Sequence, residues 1–263
     1  GEYSLSVELF ENPNYVIGTT ETAKFTITKK AVEKPAAGTT SFVYTGNDQT
    51  YTIAANDLYT VSGNFQKNAG TYNVTVALKD KSNYKWADGD SDDLTYTFTI
   101  AKATGTITVD TTTITKTYGE TVTLPTAKSN FGTVICDKTA ADLVNAGTYT
   151  VTYTLAGTSD YSGDTKTLTV IINKKAVEKP AADTTSFVYT GKDQTYTIAE
   201  SELYTVSGNV KKNAGTYSVA VALKDKTNYE WVGGTTDDLT FRFVIAKVRV
   251  IVPQADSTSF VYT

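Results

Sequence analysis

Tyr84 and Trp86, which recur 145 residues later as Tyr229 and Trp231, are the side chains of this sequence best suited to hold a ligand. Planar aromatics beside Asp and Asn can stack on sugar rings, so the two pairs mark a candidate glycan-binding surface. The competing role is structural. Ile17 takes the Trp position in a partial first copy, and in a middle copy Tyr161 is followed by Ser162 and Gly163. A position that accepts Trp, Ile or a polar residue can simply cover the end of a small core, and that role is favoured. Asp88, Asp90, Asp92 and Asp93 form an acidic loop, and hard cations such as Ca²⁺ take several carboxylate oxygens at once. The corresponding loop further on keeps only Asp237 and Asp238 after Gly233-Gly234-Thr235-Thr236, so a solvated turn is expected rather than a metal site. The lone Cys136 lies in the apolar run Val134-Ile135-Cys136 and is expected to be a small buried hydrophobe.

What is missing narrows the chemistry further. There is no His, which removes the commonest general base, the Ser-His and Cys-His nucleophile pairs and imidazole metal sites. One Cys and no His cannot supply the four ligands of a structural zinc. No paired carboxylates stand in a recognisable catalytic pattern, so the chain is expected not to be an enzyme and to need no cofactor. The formal charge is -4, the pI is near 5.0, and Arg occurs only at 242 and 249, which disfavours a nucleic-acid partner. No stretch approaches the ~18 apolar residues of a membrane span.

The elements that must position these residues are internal repeats. Residues 30–102 align without a gap on 175–247, and 55 of the 73 pairs are identical. Residues 103–174 are a diverged copy, keeping Tyr118-Gly119, the run Asn145 to Val151, and the apolar Leu168, Val170 and Ile172. Residues 1–29 read as the last part of a repeat: Tyr3 matches Tyr72, Asn14-Tyr15 matches Asn83-Tyr84, and Phe25 matches Phe98. Residues 248–263 read as the first strands of another, with Pro253 matching Pro35 and Phe260 matching Phe42. Three whole repeats between two partial ones suggest a piece of a longer array.

Composition and alternation then give the fold class. The chain holds 50 Thr and 18 Tyr, residue types that suit a pleated, half-buried surface. Tyr72, Val74, Val76 and Leu78 alternate with polar or small residues, as do Leu94, Tyr96, Phe98 and Ile100 with Thr, and Leu239, Phe241, Phe243 and Ile245 follow suit. Period two with one apolar face predicts antiparallel sheets. Asn68, Gly70, Tyr72 and Val74 have the spacing of the run that leads into the tyrosine corner of immunoglobulin domains, with Val where those carry Cys. Tyr3, Tyr72, Tyr149 and Tyr217 are the corner tyrosines on this reading. The expected fold is all-β: tandem small Ig-like β-sandwiches joined by short linkers into an elongated rod. The alternative is a β-grasp-type repeat with one short helix at Ala54–Leu58, Ala140–Asn145 or Ala199–Leu203.

The Tyr-Gly or Tyr-Thr-Gly run followed by Asn-Ala-Gly-Thr-Tyr-x-Val, in tandem units of this length, resembles the MBG- or YDG-type bacterial Ig-like repeats. The resemblance covers essentially the whole chain, and its motifs are short turn-and-strand signatures. It implies an extracellular array of a long secreted or wall-anchored bacterial surface protein, a stalk that spaces or presents a distal domain. The alternative it leaves is an adhesin or carbohydrate-binding array. Implied partners are neighbouring repeats and, for an adhesin, host protein or glycan, with no membrane insertion by this segment.

Overall fold

The computed structural model describes residues 1–7, 13–16, 18, 22–182, 186–254 and 261–262. Ile17 and Phe260, matched above to positions of other copies, lie outside the described residues. The chain divides into two compact units, one comprising Gly1–Thr106, Ser129–Thr133 and Leu155–Asp164, the other Ile107–Lys128, Val134–Thr154 and Thr165–Thr263.

In residues 30–102, four strands form one sheet in the order Ser41–Val43, Leu94–Ala101, Gly70–Leu78, Tyr59–Ser62. The two long central strands are antiparallel, with Phe98 opposite Tyr72 and Ile100 opposite Gly70. The early strand runs parallel to the last one, placing Phe42 opposite Ile100. Alternation decides which side is core: Val74, Val76, Leu78, Phe98 and Ile100 are buried while the intervening Thr71, Thr95, Thr97 and Thr99 are exposed. Against that apolar face lie two short strand pairs, Lys30–Val32 with Tyr84–Trp86 and Gln49–Thr50 with Phe65–Gln66. They contribute Val32 and Trp86 to the core, and Tyr51 follows directly from the second pair. Each repeat is therefore a small β-sandwich.

Residues 175–247 repeat this arrangement strand for strand, with Phe243 opposite Tyr217 and Ile245 opposite both Gly215 and Phe187. The middle copy keeps the sheet order Thr113–Thr117, Asp164–Asn173, Gly147–Leu155, Val134–Cys136. At the start of the chain Glu2–Leu5 pairs with Ala23–Thr26, and Tyr3 stands opposite Phe25 in the register of Tyr72 and Phe98. Residues 248–254 and 261–262 contain no strand.

The chain is all-β. Among the described residues the only helical segment is a single 3-10 turn, Ala140–Asp142, where Thr139 and Asp142 form a capping box. Ala54–Leu58 and Ala199–Leu203 are extended and turn segments, so the helix of a β-grasp repeat is not formed. The reason is local. Asn56 and Ser201 fold back to accept the amides of Leu58 and Leu203, and the Tyr59 and Tyr204 hydroxyls take the carbonyls of Ala54 and Ala199. These bonds divert the backbone groups that a helix would use.

Candidate functional site at the joints between repeats

The two members of each aromatic pair sit at different depths, Tyr84 and Tyr229 half-buried and the Trp below them. Trp86 and Trp231 are fully buried. The parallel pairing of Val32 with Trp86, and of Val177 with Trp231, turns each indole inward. There it packs on Tyr59 or Tyr204 and donates Nε1–H to the carbonyl of Asp92 at 2.7 Å or Asp237 at 2.9 Å. A fully covered indole has no face left to stack on a sugar, so Trp86 and Trp231 take the core-covering position that the sequence favoured. The middle repeat closes the same end differently, with Phe131 stacked on Tyr161 at 4.2 Å.

The acidic loop is occupied by protein donors. Asp88 pairs with Lys34, and Asp93 with Lys81 at 2.8 Å. Asp90 accepts the amides of Ser91 and Asp92. The second of these ion pairs recurs as Lys226–Asp238 at 2.7 Å. Cys136 is half-buried rather than buried, its thiol 3.2 Å from the carbonyl of Lys138, at the rim of a hollow with Pro125 and Tyr153.

The corner tyrosines turn back four residues: the hydroxyls of Tyr72, Tyr149 and Tyr217 each donate to the carbonyl of Asn68, Asn145 and Asn213 at 2.8 Å. Tyr3 has no residue four positions before it in this sequence, and it stacks on Phe25 at 5.4 Å. The hydroxyl holds the Asn-Ala-Gly turn in place, and that turn has a second role.

Within the first compact unit, the Ala69 amide at the tip of this turn donates to the carboxylate of Asp160, at 2.8 Å, in the following repeat. Lys102 reaches the carbonyl of Thr158 at 2.7 Å, and Tyr44 meets Tyr161 edge to face at 5.4 Å and 77°. Within the second unit the same three contacts recur between the next two copies. The Ala146 amide donates to Asn228 Oδ1 at 2.7 Å, Lys174 reaches the carbonyl of Lys226 at 2.7 Å, and Tyr118 meets Tyr229 at 5.3 Å and 77°. Each joint thus consists of an Asx-Tyr loop seated against an Ala amide, a Tyr edge and a Lys ammonium.

The loop is shaped by hydrogen bonds of its own. Asp225 accepts the amides of Thr227 and Asn228 and the Asn228 side-chain amide, and Asp80 does the same for Ser82 and Asn83. The side-chain hydrogen bond from Asn83 or Asn228, with the amide bonds, holds the Asp80 and Asp225 carboxyls below the usual range. In the one-residue-shorter middle loop, Thr158 Oγ1 accepts the amides of Asp160 and Tyr161 instead. Asn228 is the one buried polar residue among the described residues, and its side chain is satisfied. It donates to Asp225 and Asn145 and accepts from Ala146. Sequence reasoning aligned the Asn-Tyr pairs but assigned them no role. The signal was that Asn or Asp precedes this Tyr at 14, 83, 160 and 228 even where the following Trp is lost.

No protein-family model matches the chain, and no curated protein matches it. Among solved structures, it is similar to the extracellular cadherin domains 3-6 of protocadherin gamma B2, at 9% identity over 81% of this chain and 73% of that one, with a TM-score of 0.25. Drosophila N-cadherin EC1-4 is 11% identical over 94% and 83%, with a TM-score of 0.26. The human desmocollin-1 ectodomain is 10% identical over 97% and 69%, with a TM-score of 0.21. Likeness at this level carries nothing about what this chain binds.

Proposed function

We propose that this chain is a non-enzymatic structural segment of an extracellular array, a stalk of a bacterial surface protein that spaces or presents another domain. The repeat boundaries on this reading are 30–102, 103–174 and 175–247, with partial repeats at 1–29 and 248–263. The observation that carries it is the recurrence of one three-part joint at two successive places. Motifs shared between the copies serve to hold one copy to the next: the Asn-Ala-Gly turn, the Tyr before Gly or Thr-Gly, the Lys that ends a repeat. The shared indoles, Trp86 and Trp231, are core. A ligand-binding array would instead keep a recurring exposed cluster, and the indoles of the aromatic pairs that suggested one are turned inward. The residue resemblance to MBG- or YDG-type repeats supports the bacterial surface setting.

A retention screen of the full chain against mucin, matrix proteins and insoluble polysaccharides tests the reading. The expected result is no specific retention on any of them. Saturable capture, abolished by substitution of exposed residues that leave the fold intact, would replace the stalk with an adhesin.

A further inference from the structure

The third repeat presents the same joint surface, and no Asx-Tyr loop among the described residues is seated on it. A hollow of about 480 Å³ is lined by Tyr189, Asn213, Ala214, Lys247, Val248 and Val250. The first four occupy the positions of Tyr44, Asn68, Ala69 and Lys102 in the first repeat. They are also the motif positions of Tyr118, Asn145, Ala146 and Lys174 in the middle one. In both other copies this surface holds the Asx-Tyr loop of the repeat that follows. Tyr44 and Tyr118 are half-buried by that loop, whereas Tyr189 is exposed at 39%. Among the described residues, no side chain accepts from the Ala214 amide.

We propose that this end of the third repeat is a socket for the Asx-Tyr loop of a further repeat of the same kind. The inference rests on the array reading and names the partner chemistry of its open joint. The socket asks for three things: a side-chain oxygen opposite the Ala214 amide, a backbone carbonyl for the Lys247 ammonium, and an aromatic ring to meet the edge of Tyr189. An Asp or Asn followed by Tyr at the end of a tight loop supplies all three, as Asp160-Tyr161 and Asn228-Tyr229 do. The same loop in the first repeat differs in exposure. Asn83 keeps the internal bonds to Asp80 yet is exposed, while its counterpart Asn228 is buried at 6%.

The test lengthens the full chain. Residues 248–263 align with 30–45, so appending residues 46–102 after Thr263 completes a fourth repeat that carries the Asp80–Tyr84 loop. Hydrogen exchange at the Ala214 amide is then compared with that at Ala69 and Ala146. In the lengthened chain it should slow by about tenfold, into the range of the other two, and Asn83→Ala in the appended copy should restore the faster rate. Unchanged Ala214 exchange beside a folded fourth repeat, recognised by the buried emission of its Trp, overturns the socket. A second chain, with residues 103–174 joined directly after Lys247, offers the Asp160-Tyr161 loop to the same surface. Failure of both appended repeats to fold on this end also overturns the proposal. Failure of the array reading itself would register elsewhere, as ligand capture by the chain of 263 residues.

Discussion

Tyrosine is the residue on which this protein relies most, and its hydroxyls do different work at different depths. Tyr72 packs on Phe98 and ties the Asn68 carbonyl, so Tyr72→Phe should keep the ring contact and lose one hydrogen bond. The expected cost is about 1 kcal/mol, read from the denaturant midpoint of the full chain. Tyr51 is fully buried and its hydroxyl has no partner among the described residues. Removing an unpaired buried hydroxyl relieves its desolvation, so Tyr51→Phe should leave stability unchanged or raise it by up to about 1 kcal/mol. A loss at Tyr51 equal to that at Tyr72 would contradict this assignment. Trp86→Ala tests the placement of the indole in the core. It opens a large cavity and should cost about 3–5 kcal/mol, with the emission of wild-type Trp86 blue-shifted as befits a buried indole. A stable Trp86→Ala variant with solvent-like wild-type emission would return the indole to the surface.

At the scale of elements, strands were legible and joints were not. Alternation at Tyr72 to Leu78 and at Leu94 to Ile100 identifies the apolar face, because period two leaves it no other arrangement. The Asn-x-Gly-x-Tyr spacing marks the tyrosines whose hydroxyls turn back to the Asn carbonyl four residues earlier. Trp86 left two roles open because a Tyr-x-Trp run says nothing about which way it faces until its parallel partner Lys30–Val32 is known. Joints are a relation between copies: Ala69 and Asp160 are 91 positions apart and acquire meaning only when two folded repeats meet. A matched pair of substitutions isolates their worth. Asn83→Ala and Asn228→Ala both remove the internal bond to Asp80 or Asp225, but only the second also leaves the Ala146 amide and Asn145 without their partner. Asn228→Ala should therefore cost about 1–2 kcal/mol more than Asn83→Ala and speed hydrogen exchange at Ala146. Equal costs at the two sites would mean that the docked loop adds no stability.

For the whole molecule, the ionisable groups set a window of stability with two edges. The carboxyls of Asp80, Asp88, Asp137, Asp142 and Asp225 are held low by the hydrogen bonds they accept, from Asn83, Lys34, the Thr152 amide, Thr139 and Asn228 respectively. A carboxyl that is more acidic when folded contributes stability above its unfolded pKa, and that contribution disappears as pH falls through the folded value. The acid edge should thus open below about pH 4. On the other side, burial raises the hydroxyls of Tyr96 and Tyr153, and the Asp88 and Asp93 partners raise Lys34 and Lys81. A raised folded pKa gives stability that is complete below the unfolded value and lost as pH climbs past it, so the alkaline edge should open near pH 10 or above. Between them no histidine titrates, and melting temperature should stay flat from about pH 5 to 8. The third repeat carries Phe241 where the first has Tyr96, whose hydroxyl donates to the Pro35 carbonyl at 2.6 Å. Tyr96→Phe should lower stability at neutral pH through that lost bond while flattening the alkaline decline. A melting series from pH 3 to 11 on both chains decides it, and an unchanged alkaline slope in the variant would remove Tyr96 from the account.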